Sequence, residues 1–341
     1  MIGSRPKGRA IGWGWVVVAE FNPGDILPKR GSTVLVTGAA GGLASIVSDQ
    51  LSEDFRLVGV DPRPMPYGRN FPGAFHTVDY THRKMADLFR RYSFSAVLHM
   101  GRVAATSRMS RSARYNVNVL GTRNILMLAR KYSVRRVVVF STFHVYGAHQ
   151  HNHLHLVEDE PLRASQIFPE LSDAIELDNY ARTFSLQYPE ISTLILRPVN
   201  VVGSKIRNEI SQLLRGDYVP KLLGYDPMLQ FIHEVDVARA LRLALDSSRS
   251  GVYNVAGEGV VPWSMAIELS GGTSVPIPHL LAYPILGALS PISRIPKHLI
   301  DYFRYPVILK DQGFRRDFGF SPSVTTVDAL ASVRGVRPGA R

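Results

Sequence analysis

Thr33-Val34-Leu35-Val36-Thr37-Gly38-Ala39-Ala40-Gly41-Gly42-Leu43-Ala44 is the stretch whose reading decides the fold. Thr33 to Val36 form a short apolar, β-branched run, which reads as a buried strand. Beyond the glycines, Ile46, Val47 and Leu51 recur at helical spacing. The glycines therefore sit between a strand and a helix N-terminus, the context a pyrophosphate cradle requires. Gly38 allows a tight turn with positive φ. Gly41 carries no Cβ, so an anion can approach the backbone, and the helix end offers free N–H groups and a positive dipole end. Ala44 is small enough for close helix–strand packing. Gly38, Ala40, Gly41, Gly42 and Leu43 are thus the predicted phosphate-binding residues.

A second strand, Leu57 to Val60, ends at Asp61. An acid at that strand tip accepts hydrogen bonds from adenosine ribose hydroxyls and favours NAD. Arg63 stands close enough to hold a 2′-phosphate, which keeps NADP open.

Further motifs follow in a fixed order. Asp79 ends a third strand, with Tyr80 after it. Ala96 to Met100 (AVLHM) reads as a fourth strand, followed by Gly101 and Arg102. Then come NVNVLGT at 116–122, VVVFSTFHVYG at 137–147, LRPVNVVG at 196–203, FIHEVDVA at 231–238 and GVYNVAG at 251–257. Together with TGAAGGLA at 37–44 this series resembles the extended short-chain dehydrogenase/reductases, also called NAD-dependent epimerases/dehydratases. The resemblance covers about residues 31–330. It implies an α/β fold, a Rossmann-type doubly wound parallel sheet with a small C-terminal substrate lobe. The implied division is an N-terminal extension (1–30), a dinucleotide-binding domain (31–200, completed by parts of 225–260), a mainly substrate-binding lobe (201–330) and a tail (331–341). It further implies cofactor contacts at Asp79, Tyr80, Met100, Gly101, Arg102, Asn118, Pro198 and Val199, and homodimer formation. A nucleotide sugar or a sterol- or lipid-like alcohol is the implied substrate class.

The resemblance breaks at the proton-transfer residues. The family carries a Ser/Thr with a Tyr-x-x-x-Lys on the helix after the fifth strand. Thr142 stands at the Ser/Thr position. Counting back from Arg197 places Glu170 at the Tyr and Ala174 at the Lys. A tyrosine without a nearby cation is a poor base at neutral pH, its pKa being near 10. Tyr80 and Lys84 also form a Tyr-x-x-x-Lys, but beside the third strand, which reads as coincidence; Tyr180 has no Lys four residues on. A non-catalytic NAD-binding scaffold or redox sensor is therefore the competing expectation.

Composition narrows the rest. The 341 residues are 45% apolar and 20% charged, which is a globular composition. Cysteine is absent, which removes disulfide, Cys–metal and thiol chemistry and fits a cytoplasmic setting. The net charge is +12, with only eight Lys, so arginine supplies most of the cations. Residues 82–136 carry 13 Lys and Arg against one acid, Asp87, and Arg108, Arg111 and Arg114 share a predicted helix face. This predicts a basic patch for an anionic ligand; with no stacking aromatics interleaved, nucleic acid is not the expected partner.

Three stretches carry weaker expectations. Arg5, Lys7 and Arg9 precede an apolar run at Ile11–Ala19, which is too short to span a bilayer. Leu269–Ser293 has no charged residue but four prolines, so it is no continuous spanning helix; 275–297 could rest on a membrane surface. His149, His151, His153 and His155 alternate, and in an extended segment would face one side as metal ligands or proton acceptors. The expected metal content is none.

Overall fold

In a computed structural model, the described residues are 27–278, apart from 106 and 108, and 299–335. Their core is a seven-stranded parallel sheet. We label its strands β1 (Thr33–Thr37), β2 (Arg56–Asp61), β3 (Gly73–Thr77), β4 (Phe94–His99), β5 (Arg136–Phe140) and β6 (Ser192–Pro198). After β7 (Asn200–Val202), β8 (Tyr218–Leu222), β9 (Met228–Leu229) and β10 (Phe231–His233), β11 (Gly251–Val255) returns to close the sheet edge. The strand order is β11-β6-β5-β4-β1-β2-β3. The strands read as near-continuous Val, Leu and Ile because helices cover both faces. Val34 and Val36 point into one core layer and Leu35 into the other.

The helices follow the same alternation. α1 (Gly42–Leu51) pairs with α8 (Glu234–Leu245) on one face. On the other lie α2 (Lys84–Arg91), α4 (Thr122–Lys131) and α6 (Ser172–Gln187). A short α3 (Arg111–Tyr115) runs into α4 through a π-helical turn, Asn116–Gly121. Such a turn rotates one residue out of the α register and is frequent at functional sites; here it aims Asn118 inward, fully buried. Between β5 and α6 stand α5 (Ala164–Ile167) and a 3-10 turn, Pro169–Leu171.

The strand order reverses at β1, which pairs with β2 on one side and β4 on the other. The loops leaving β1 and β4 therefore diverge and open a crevice at the carboxyl edge, where ligands bind in such sheets. Over this edge sits a lobe with its own apolar core around Trp263, Phe231, Val219, Leu214 and Leu330. It contains α7 (Glu209–Leu214), α9 (Trp263–Leu269) and the β8 pairing with β13 (Thr273–Ile277).

Residues 1–26, 279–298 and 336–341, and with them the N-terminal apolar run and most of the 275–297 stretch, lie outside the described residues. Among the described residues no helix is long and apolar enough to cross a membrane.

Candidate active site

The glycine turn forms as its sequence dictates. Gly38 has φ +72°, and a Cβ there would meet the Met100 carbonyl at 2.8 Å, so both conformation and space demand glycine. The turn is held from behind: the Ala39 N–H donates to the Val60 carbonyl, and the Gly38 N–H donates to the Tyr80 hydroxyl at 2.9 Å. Tyr80 is thus packed under the turn, 1% exposed, its ring edge-on to His99. Burial pushes its phenol pKa up. In this position Tyr80 supports the glycine turn from behind. Asp79 is exposed, and its carboxylate accepts from the Thr81 N–H and hydroxyl of its own turn.

α1 then starts at Gly42, whose following amides are the unbonded donors of a first helical turn. A Cβ at Gly42 would lie 3.1 Å from the carbonyl carbon of Lys205 and closer still to its oxygen. The loop after β7 therefore lies directly on this helix end. Glu234, buried at the start of α8, holds that loop by accepting from the Lys205 N–H (2.9 Å) and the Ser204 hydroxyl (3.2 Å). Nothing in the glycine pattern announces this brace.

Asp61 is 1% exposed at the end of β2. One carboxylate oxygen accepts from the Ala40 N–H at 3.1 Å, and both accept from Arg63, whose side chain is 68% exposed. The arginine fork thus rests where ribose hydroxyls would bond.

The crevice continues into a cavity of about 210 Å³ beneath the lobe. Leu43 of α1, Arg102 after β4, Thr142 after β5, and Pro198 and Val199 after β6 line it from the sheet side. The lobe adds Ile206, Glu209, Leu213, Leu229, Tyr302 and Phe303. Met100 and Gly101 stand just behind, their N–H groups donating to the Thr37 hydroxyl. Thr142 Oγ1 lies 2.9 Å from His144 Nδ1, and His144 also faces the cavity. Desolvation lowers the Arg102 pKa, opposed by the charges of Glu209 and Asp173.

The two positions counted back from Arg197 lie at the α6 N-terminus. Glu170 lies in the 3-10 turn and Ala174 in the first turn of α6, where Ala174 is 2% exposed in the apolar core. The register is fixed one turn on. Asp178 takes both arms of Arg197, at 3.0 and 2.6 Å, with both side chains fully buried, and accepts from the Ser141 hydroxyl at 2.5 Å. Arg197 also donates to the Tyr146 hydroxyl, which in turn donates to Asn254 Oδ1. Burial holds the Tyr146 phenol up at about 12, against the pull of Arg197.

Sequence reasoning missed a second buried pair. Arg114 Nε donates to Asp173 Oδ2 at 2.7 Å, its other nitrogens reaching the carbonyls of Glu170 (2.6 Å) and Ala105 (3.2 Å). Asn118 Nδ2 donates to the same Asp173 oxygen and to the Val103 carbonyl, and its Oδ1 accepts from the Val103 N–H. Asn118 therefore braces the loop after β4. Within the basic segment, Arg114 is 4% exposed in an ion pair and Arg111 donates to the Pro169 carbonyl, while Arg83, Arg90, Arg91, Arg123 and Arg130 are exposed; Arg108 lies outside the described residues. Arg136 is fully buried as well, bonded to the carbonyls of Ala244 and Arg249, and desolvation lowers its pKa to about 9.

The histidine run does not make an extended ligand face. Residues 149–152 close a turn, and His153 bonds instead to Glu160 at 2.6 Å. Among the described residues no three His, Asp or Glu side chains cluster as a metal site.

The model of the NAD dependent epimerase/dehydratase family matches residues 34–256. The chain belongs to that family. An uncharacterised protein of Mycobacterium tuberculosis is 29% identical over 326 residues, covering 91% of this chain and 86% of its own. UDP-glucose 4-epimerase 3 of Oryza sativa is 27% identical, covering 76% and 71%. Among solved structures, a Thermotoga maritima UDP-glucose 4-epimerase with UDP-glucose superposes with a TM-score of 0.73 at 20% identity, covering 88% of this chain and 97% of its own. A Thermus thermophilus UDP-glucose 4-epimerase in complex with NAD gives 0.72 at 21% identity, covering 91% and 100%. These structures share the fold of this family member.

The residues present suit the dinucleotide that the family name implies. The turn at 38–42 tolerates no side chain at Gly38 or Gly42, the α1 amides are aimed outward, and Asp61 is a buried acceptor at a strand tip.

Proposed function

We propose that this family member binds NAD at the carboxyl edge of its sheet and acts on a small, largely apolar alcohol held beneath the lobe. One observation carries the reading: Leu43, in the first turn of the phosphate-binding helix, and Thr142 line one continuous cavity. Gly38 to Leu43 would hold the pyrophosphate, Asp61 the adenosine ribose, and Thr142, Pro198 and Val199 the nicotinamide end. Bound there, the nicotinamide supplies a hydride acceptor or donor. The chain's own residues do the rest. Phe140, Ile206, Leu213, Leu229 and Phe303 exclude water from the cavity, and Thr142 Oγ1 offers a hydrogen-bond partner to a substrate hydroxyl. Among the described residues Arg102 is the one Lys or Arg in the wall, against the several cations that a nucleotide diphosphate would call for.

Glu170 and Ala174 occupy the Tyr and Lys positions in this reading, so the usual phenol base is absent. NAD is favoured over NADP because a 2′-phosphate would meet the Asp61 carboxylate. Calorimetry tests both points. NAD+ should bind, with NADP+ weaker by at least about tenfold, the scale of one unfavourable charge contact. Equal affinities would remove the assigned role of Asp61, and absence of NAD+ binding would sink the proposal. The relatives' names favour a second reading, a nucleotide-sugar substrate. Thermal stabilisation by UDP-glucose in the presence of NAD+, with none from apolar alcohols, would select it.

A further inference from the structure

A hydroxyl that gives up its proton inside a dry cavity needs an acceptor within hydrogen-bond reach. Glu170 and Ala174 leave that task open, and the cavity wall contains one arrangement able to take it. Thr142 Oγ1 and His144 Nδ1 are 2.9 Å apart, and the His144 main-chain N–H reaches the same oxygen at 3.3 Å. The pair is rigidly held. Thr142 caps the 3-10 turn Phe143–Tyr146, the Tyr302 hydroxyl donates to the His144 carbonyl at 2.8 Å, and the Tyr302 ring meets the imidazole edge-on at 4.9 Å.

We propose that Thr142 and His144 form a proton relay for an alcohol bound in this cavity, replacing the phenol and ammonium that the family uses. This rests on the cofactor and substrate reading given above. The substrate O–H bond breaks with its electron pair left on oxygen. The proton goes to Thr142 Oγ1 as the threonine's own proton passes to His144 Nδ1, which becomes cationic; the reverse order returns the proton. An imidazole has an ordinary pKa near 6.5, so it is mostly a neutral base at pH 7 without help. A phenol near 10 needs a neighbouring cation to serve, which is why a lysine becomes dispensable once a histidine is the base. Among the described residues the ionisable groups around the relay include Arg102 and Glu209 in the same wall, Tyr302 and Asp301 on the C-terminal segment, and the Asp178–Arg197 pair behind Ser141; α5 brings none.

The test uses the full chain saturated with NAD+ and 1-phenyl-2,2,2-trifluoroethanol, an apolar alcohol whose electron-poor carbon resists oxidation, so that binding rather than turnover is read. Its affinity, measured by calorimetry, should rise severalfold as the pH is raised from about 5.5 to about 8, because a protonated imidazole cannot take the threonine proton. His144→Gln should flatten this profile to within about twofold while leaving NAD+ affinity within about threefold, which also certifies that the variant is folded. His144→Gln keeps the Tyr302 contact, since that is made by the main-chain carbonyl. A flat wild-type profile, a slope that survives in His144→Gln, or no alcohol binding by a chain that binds NAD+ each overturns the relay alone. Failure to bind NAD+ overturns the cofactor reading as well.

Discussion

Asp173→Ala should destabilise this protein more than almost any other single change, because it strands a buried cation. Arg114 and Asp173 have side chains 5% and 6% exposed, joined at 2.7 Å. Removing one member of such a pair costs about 3–5 kcal/mol, most of it the penalty of leaving the other charge uncompensated. Arg114 would keep two carbonyl partners, from Glu170 and Ala105, which places the cost near the lower end, about 3 kcal/mol. Arg114→Leu should cost a similar amount, since Asp173 retains Asn118 Nδ2 and the Ala174 N–H. The double variant Arg114→Leu/Asp173→Leu removes both charges together, and buried pairs replaced by apolar residues are often close to neutral. With Asp173→Leu as the matching single variant, also costing about 3 kcal/mol, the changes should be far from additive, and a near-neutral double variant corresponds to a coupling energy of up to about 6 kcal/mol in a double-mutant cycle. Urea unfolding followed by far-ultraviolet circular dichroism at neutral pH measures it. Additivity within about 0.5 kcal/mol would refute the claim that this pair, rather than apolar contact alone, anchors the N-terminal turn of α6.

Three other perturbations follow from particular contacts. His99 is fully buried between the hydroxyls of Thr37 and Thr122, and desolvation lowers its pKa to about 4. Between about pH 4 and 6.5 the unfolded chain binds the extra proton, so stability rises with pH there; acidification from neutrality should remove up to about 3 kcal/mol, a loss that His99→Asn reduces in urea titrations at several pH values. His76 and His233 are shifted the same way and keep some slope in that variant. Gly42→Ala forces a methyl against the Lys205 carbonyl, and should cost about 1–3 kcal/mol in thermal unfolding and weaken NAD+ by displacing the braced loop; an unchanged melting temperature would show that the loop is not seated on α1. Arg63→Ala releases Asp61 from an ion pair whose cation is largely exposed, an interaction worth about 0–1 kcal/mol, so calorimetric NAD+ affinity should hold or rise by up to about fivefold; a tenfold loss would mean that Arg63 itself contacts the cofactor.

The sheet and its phosphate turn were readable because their signals are local. Apolar runs, glycines and helical spacing fix strand, turn and helix within about a dozen residues, so Gly38, Asp61 and Thr142 sit in the elements the sequence predicts. The parts that were not readable depend on long-range partners. Tyr80 meets Gly38 across 42 positions, Arg114 meets Asp173 across 59, and Glu234 reaches back to Lys205 across 29. Helical spacing put Arg111 and Arg114 on one face but could not say that this face turns inward against the α6 N-terminus. The histidine alternation misled for the opposite reason: a period of two has meaning only in a strand, and the backbone at 149–152 is a turn. The Thr142–His144 contact was within reach of the sequence, two residues apart, and needed only the 3-10 turn to bring the side chains together.

The same distinction changes what the excess of arginine means. A guanidinium presents five donors in a planar fork, so it can satisfy several buried carbonyls and carboxylates at once, which an ammonium cannot do with the same geometry. Arg136 closes the chain around Ala244, Ser192 and Arg249, Arg197 ties α6 to β6, and Arg114 ties α3 to α6. These cations are consumed by the fold and offer nothing to an anionic partner. Net charge therefore mixes such internal fasteners with exposed cations such as Arg83, Arg90, Arg123 and Arg130. Arg102 is the exception that bears on ligands. It lines the cavity, and its side chain makes no hydrogen bond or ion pair among the described residues. Burial penalises its charge, and an electronegative group on the bound molecule would relieve that penalty. For the apolar alcohol proposed above, an acceptor or anionic group placed to meet Arg102 would therefore strengthen binding.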